Sequence, residues 1–241
     1  MYLKFSAAFG VFLLMSQSVF ATPVTLLSED FEDGLPLSAV VASPSGGEWV
    51  TVRQHDDLID GTGGVWYENF DNFFTEGHFL VLGDKREDLG GSNSGESSIL
   101  LPFSVDDPMA FDHVTISYDW VFDTNAASGV FNDDDFYVTL LNGAGDEVAT
   151  VQNVDHPDQL PGAGAGSRGT YSAMFDGALL SQPGDYGLKF TLVEYTGDFS
   201  SAVGLDNIYI NAVASVPEPA MALLLGLGLL GSALSARKRL R

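Results

Sequence analysis

From Val114 to Phe122, apolar residues fall at every second position, with Val114, Ile116, Tyr118, Trp120 and Phe122 on one side and Thr115, Ser117 and Asp119 on the other. A helix would scatter these side chains around its axis, whereas an extended chain puts them all on one face that must be covered. The pattern returns at Tyr186, Leu188, Phe190 and Leu192, with Lys189 and Thr191 opposite, and at Phe136, Val138 and Leu140. After the last of these, Leu141-Asn142-Gly143 reads as a turn into Glu147–Val151, which makes a hairpin. Shorter alternating stretches lie near 24–27, 49–52, 79–82, 97–103, 170–175 and 203–212, and no stretch between the termini has helical period. About nine or ten short strands with regular turn signals predict an all-β chain folded as a single β-sandwich of jelly-roll type. Two Gly- and Ser-rich segments, Lys85–Ser98 and Asp155–Gly169, read as loops.

The ends of the chain have a different character. Met1–Lys4 is weakly basic, Phe5–Met15 is apolar, and Val19-Phe20-Ala21 is a small-residue cleavage site, so residues 1–21 read as a signal peptide. At the other end Val216-Pro217-Glu218-Pro219 precedes an uncharged run, Ala220–Ala236, and then Arg237, Lys238, Arg239 and Arg241. Seventeen helical residues at about 1.5 Å each span roughly 26 Å, just enough to cross a bilayer core. The basic end favours the cytoplasmic side of an inner membrane, so the body lies outside it. The chain therefore divides into a signal peptide (1–21), a sandwich (22–213) and a C-terminal signal with its linker and transmembrane helix (214–241).

All 33 Asp and Glu lie between Thr22 and Pro219, against five basic residues there (Arg53, Lys85, Arg86, Arg168 and Lys189), a charge of 5 − 33 = −28. Such a field repels nucleic acid and anionic lipid, attracts divalent cations, and equally serves solubility in salty water. The chain has no cysteine, which excludes disulfides, thiol catalysis and Cys-ligated zinc.

Catalytic patterns are weak. GAGSRG at 164–169 has no helix after it, and GLGLLG at 226–231 lies inside the apolar run, so neither is a phosphate-binding turn. Gly91–Gly95 reads GSNSG, with Asn93 where a nucleophile elbow needs serine. His55, His78, His113 and His156 have no zinc spacing, and no Glu is followed two residues later by Asp or Glu as a glycosidase pair on one strand requires. Asp123–Asp135 has the oxygen density of a calcium loop without EF-hand spacing, and reads equally as a solvated acidic hairpin. More informative is Ala202–Ile210, where apolar residues fall at 203 and 205 and then at 208 and 210. The phase slips at Asp206-Asn207, as at a β-bulge. A bulge there either aims the Asp206 carboxylate at the acids of the first strand, LSEDFEDG at 27–34, or lets the pair bond a neighbouring loop. Trp49, Trp66 and Tyr67, in a region of weak alternation, are candidates for stacking on sugar rings.

The order of signal peptide, Pro-Glu-Pro triplet, Gly/Leu run and basic end resembles the PEP-CTERM sorting signal of Gram-negative bacteria that make exopolysaccharide. The resemblance covers 26 residues and implies recognition by an exosortase, cleavage near Val216–Pro219, and delivery to the cell surface or matrix. The body resembles, through FED-G near its start, FNDDDFYVTLL and GLDNIYI, the carbohydrate-binding or adhesive sandwiches that such signals carry, some with a structural calcium. That resemblance implies Glu29, Glu32 and Asp206 as ligands of a Ca²⁺ ion. The leading expectation is an exported, non-enzymatic surface or matrix protein that binds polysaccharide or calcium; the alternative is a secreted glycan-active enzyme on the same sandwich.

Overall fold

The computed structural model describes residues 23–42, 48–54, 70, 73–84, 95–106, 111–124, 134–155, 166–195 and 201–214. In chain order these form β1 (Pro23–Glu29), β2 (Val40–Ala42), β3 (Glu48–Gln54), β4 (His78–Asp84), β5 (Gly95–Val105), β6 (Phe111–Thr124), β7 (Asp135–Asn142), β8 (Glu147–Asp155), β9 (Gly166–Asp176), a 3-10 turn (Gly177–Leu180), β10 (Gly184–Glu194) and β11 (Ser201–Ala214). The sheets are antiparallel throughout, one ordered β3-β4-β11-β6-β9 with β1 also on β11, the other β2-β5-β10-β7-β8. The eight strands from β4 to β11 thus pair first with last, then third and sixth, against second, seventh, fourth and fifth. This is the strand order of a jelly roll.

The alternating faces meet between the sheets. Val114, Ile116, Tyr118, Trp120 and Phe122 of β6 are buried against Phe136, Val138 and Leu140 of β7 and Leu188, Phe190 and Leu192 of β10. Trp120 stacks on Phe136 at 5.7 Å, and Tyr118 meets Phe190 edge-on at 5.1 Å, so aromatic pairs join the layers. Tyr118 also donates its hydroxyl to Gln152, and Tyr171 of β9 donates to the Val151 carbonyl, which ties the β9 side of one sheet to β8 of the other. Burial pushes both phenols above the ordinary tyrosine value, so both remain donors.

Three features depart from the pattern read in the sequence. The expected loops are too long: Gly95–Ser98 belongs to β5, Asp155 closes β8, and Gly166–Gly169 opens β9. Ser97 and Ser98 are buried because β10 satisfies their backbone and their small side chains fit where larger ones would not. The three-residue edge strand β2 was below the length at which alternation is visible. The third is a small second core on the outer face of the six-stranded sheet, where Phe70 and Phe74 cover Phe79, Val81, Val121 and Ala202. Phe74 stacks on Phe79 at 4.6 Å. Val121, which sits on the polar side of β6, is buried by this cap.

Gly83 sits at φ 117°, and a Cβ there would lie 2.3 Å from the Ser201 carbonyl oxygen and 2.7 Å from Leu192. Gly83→Ala therefore forces β4 away from β11 and is expected to cost at least about 2 kcal/mol. Thermal unfolding should show a midpoint lower by several degrees, and an unchanged midpoint would contradict this packing.

Candidate functional site

The phase slip at Asp206-Asn207 is a bulge. β11 pairs Asp206 with Asp119 and then Tyr209 with Ser117, so three steps on β11 oppose two on β6. Asn207 takes φ 52°, a left-handed conformation that Asn tolerates better than most residues. At this point β11 also changes partner on its other edge, from Leu80 of β4 at Leu205 to Glu29 of β1 at Ile208. The bulge is thus where first strand, fourth strand and last strand meet.

Side chains gather around it. Asp206 accepts from the Asn207 N–H at 2.7 Å, and the Asn207 amide donates to Asp119 at 3.0 Å and to Asp206 at 3.2 Å. Thr170 of β9 donates to the other Asp119 oxygen at 2.5 Å. After β1, Phe31 turns left-handed at φ 56° and buries its ring completely in the core. Glu29 accepts from the Phe31 N–H at 2.8 Å, which holds that conformation. The turn leaves Glu32 facing His78, where its carboxylate accepts from the backbone N–H at 2.9 Å and meets Nδ1 at 3.0 Å. Burial, with the negative charges of Asp119, Glu32 and Asp30 adding to it, pushes the Asp206 carboxyl up to about 7. Burial raises Glu29 as well, and the His78 hydrogen bonds lower Glu32.

Of the three predicted calcium ligands, Glu32 lies near enough for its charge to act on Asp206, and Glu29, one oxygen of which accepts from Phe31, pairs with Ile208 beside the same bulge. Among the described residues no group of three or more His, Asp or Glu is placed to hold a metal ion. Trp49 lies in β3 with its side chain outside the described set. Trp66, Tyr67 and Val216–Pro219 also fall outside the described residues, as do 125–133 of the acidic hairpin.

Beyond the Phe cap, no further element covers the outer face of the six-stranded sheet among the described residues. Its residues come in rows across four strands: Ser28 of β1, Tyr209 of β11, Ser117 of β6 and Ser172 of β9 form one, and Thr25, Asn211, Thr115 and Met174 the next. Thr25 donates to Asn211 at 2.8 Å. Tyr209 is 36% exposed, and the bulge corner closes this face at one end. The sequence carried a signal for this lattice in the polar half of each alternating strand, but not the register that aligns the halves.

A second polar group was illegible in sequence. Asp134 and Glu194, both buried, clamp the start of β11: Ser201 donates its N–H to Glu194 at 2.9 Å and its hydroxyl to Asp134 at 2.5 Å. Asp134 also accepts from the Tyr195 N–H at 2.9 Å. Tyr137 and Tyr195 both donate to Asp135, at 2.7 and 3.1 Å. These bonds hold strand ends together and assign this group a structural role.

Residues 215–239 match a protein family described as the PEP-CTERM protein-sorting motif. No curated protein matches the chain. Similar solved structures include the enzymatically active domain of bacteriophage CBA120 tailspike protein 4, at 10% identity and TM-score 0.46, over 79% of this chain and 22% of that one. The CBM22-1 xylan-binding domain of Paenibacillus barcinonensis Xyn10C is 19% identical with TM-score 0.40, over 81% and 99% of the two chains. The K1 cleaved adhesin domain of Lys-gingipain from Porphyromonas gingivalis W83 is 15% identical with TM-score 0.44, over 78% and 97%. The protein is an all-β jelly-roll sandwich. It carries a PEP-CTERM sorting motif, which includes the predicted Val216–Pro219 and marks an exported chain that is anchored in the membrane and then processed by an enzyme of the exosortase type. Among the described residues no helix is long and apolar enough to cross a membrane; the run Ala220–Ala236 lies outside them.

Because Asp206 holds a proton in the folded state up to about pH 7, against an ordinary value of 3.8, its contribution to stability is full below about pH 4 and is lost as pH rises through 7. Asp206→Asn should raise the melting temperature at pH 8 and leave it nearly unchanged at pH 4. An equal gain at both would exclude a charge effect.

Proposed function

We propose that this chain is a non-enzymatic component of the cell surface or extracellular matrix that holds polysaccharide on the open outer face of its six-stranded sheet. The observation that carries the reading is the exposed Tyr209 ring set among the hydroxyls and amides of Thr25, Ser28, Asn211, Thr115, Ser117 and Ser172, contributed by four strands. A sugar presents an apolar C–H face and a rim of hydroxyls. An aromatic ring covers the first, and neutral polar side chains exchange hydrogen bonds with the second. Placement on strands rather than loops keeps these groups in register without an ordering cost at binding. The export marked by the sorting motif supports a partner found outside the cell.

Affinity electrophoresis of the full-length protein in detergent tests this. A polysaccharide that retards the wild type should release Tyr209→Ala, with affinity lower by roughly tenfold or more, while Tyr209→Phe keeps most of it. Both variants should melt like the wild type, because the ring is at the surface. Release of reducing ends from a bound polysaccharide would instead establish the glycan-active enzyme.

Calcium is the second element of this reading, favoured by the acids whose charges act on Asp206 at the bulge: Asp119, Glu32 and Asp30 repel its carboxylate, and a divalent ion nearby would relieve that repulsion. One millimolar CaCl₂ at pH 7.5 should raise the melting midpoint and EDTA reverse it; at 100 times the Kd the gain is about 2.7 kcal/mol. A midpoint indifferent to both removes calcium and leaves the polysaccharide reading intact.

A further inference from the structure

The charges around the open face say which polysaccharide it takes, on the reading that it takes one. We propose that its ligand is an uncharged polymer, and that Asp119 and Asp206 are the residues that refuse a carboxylate-bearing one.

Asp119 points from β6 onto the outer face in the row next to Ser117, two residues along the strand. Its carboxylate is fixed there by two neutral donors, the Thr170 hydroxyl and the Asn207 amide, so it does not swing aside when a ligand arrives. Asp206 stands beside it, bonded to the same Asn207 amide, and Glu32 and Asp30 are close enough that their charges act on Asp206. Arg168 lies two residues from Thr170 on β9. A polymer crossing the Tyr209 row therefore runs past an acidic row, the Asp119 carboxylate backed by the buried Asp206, whose charge is added as pH rises through about 7.

For a neutral sugar that row is an asset. Each carboxylate oxygen has lone pairs left over, and a sugar hydroxyl donates to them. A uronate keeps its ring hydroxyls but adds a carboxylate of like charge, and like charges side by side at an interface are strongly disfavoured. The wider field acts in the same direction, because Thr22–Pro219 carries 33 acidic and five basic residues. The neutral polar side chains of the face, Asn211, Thr115, Ser117 and Ser172, suit hydroxyl partners and carry no charge to neutralise an acid.

The test is affinity electrophoresis of the full-length protein in detergent at pH 7.5, with dextran, galactomannan and mixed-linkage β-glucan as neutral probes and polygalacturonate and alginate as acidic ones. At 20 mM salt at least one neutral polymer should retard the wild type and neither uronate should. Raising salt to 300 mM, where the Debye length falls below about 8 Å, should let the wild type begin to bind uronate while neutral binding holds. The double variant Asp119→Asn, Asp206→Asn should gain uronate affinity on the order of tenfold and show no such gain for the neutral polymers. Its melting curve shows that it is folded, and the salt series needs no variant. Wild-type retardation by uronate equal to that by a neutral polymer overturns the proposal, as does a folded double variant with no gain. Retardation by none of the five overturns the polysaccharide reading beneath it, which distinguishes the two failures.

Discussion

Along one edge β11 is hydrogen-bonded to β6, and along the other to β4 as far as Leu205 and to β1 from Ile208. Without it, β1 has no partner, and β3 with β4 separates from β6 with β9. Every inward residue of β11, from Val203 and Leu205 to Ile208, Ile210 and Ala212, is buried in the main core, and Ala202 is buried in the outer one. A strand that serves two partners on one edge cannot run straight past the place where they change. The bulge at Asp206-Asn207 absorbs the change, leaving Asn207 exposed and Asp206 buried beside it. The acid corner is thus a consequence of how the sheet is assembled.

The same geometry explains which parts of the molecule were legible in its residues. The inward faces of β6, β7 and β10 could be read directly, because a strand with one buried face must alternate, and the slip at 206–207 could be read as a bulge for the same reason. Phe31 could not: its burial depends on a left-handed turn held by the Glu29 side chain, and nothing local distinguishes it from a phenylalanine in an acidic loop. Phe70 and Phe74 were equally silent, since they cover the outside of a sheet whose neighbouring strands come from far along the chain. Tyr209 stood in plain view as an alternating residue of β11. Its isolation among serines and asparagines appears only once β1, β6 and β9 are set beside it.

Charge and packing divide the work between the two ends of the problem. With no cysteine and a strongly acidic body, cohesion comes from the aromatic contacts across the layers and from buried carboxylates that accept backbone N–H groups, as Asp134 does from Tyr195 and Glu194 from Ser201. Asp134 is met by fixed donors on both oxygens and Glu194 on one. Asp206 differs: its donors are the neutral N–H groups of one neighbour and its other neighbours are acids, so its burial is incompletely compensated. A fold that keeps such a group at its central bulge tolerates a local cost, and the corner where this happens borders the open polar face.

Chain order adds a constraint in time. β11 ends at Ala214, and the sorting motif begins at residue 215. Because β1, the β3–β4 pair and the β6–β9 pair are joined to one another by β11, these three parts stay unlinked until the residues directly ahead of the motif have been exported. β5, β7, β8 and β10 can pair earlier, but their apolar faces then lack the opposing layer. Folding of the sandwich and arrival of its sorting signal are therefore nearly simultaneous events. The high negative charge of the body has a role in that interval, keeping incomplete chains apart while half of the core is still uncovered.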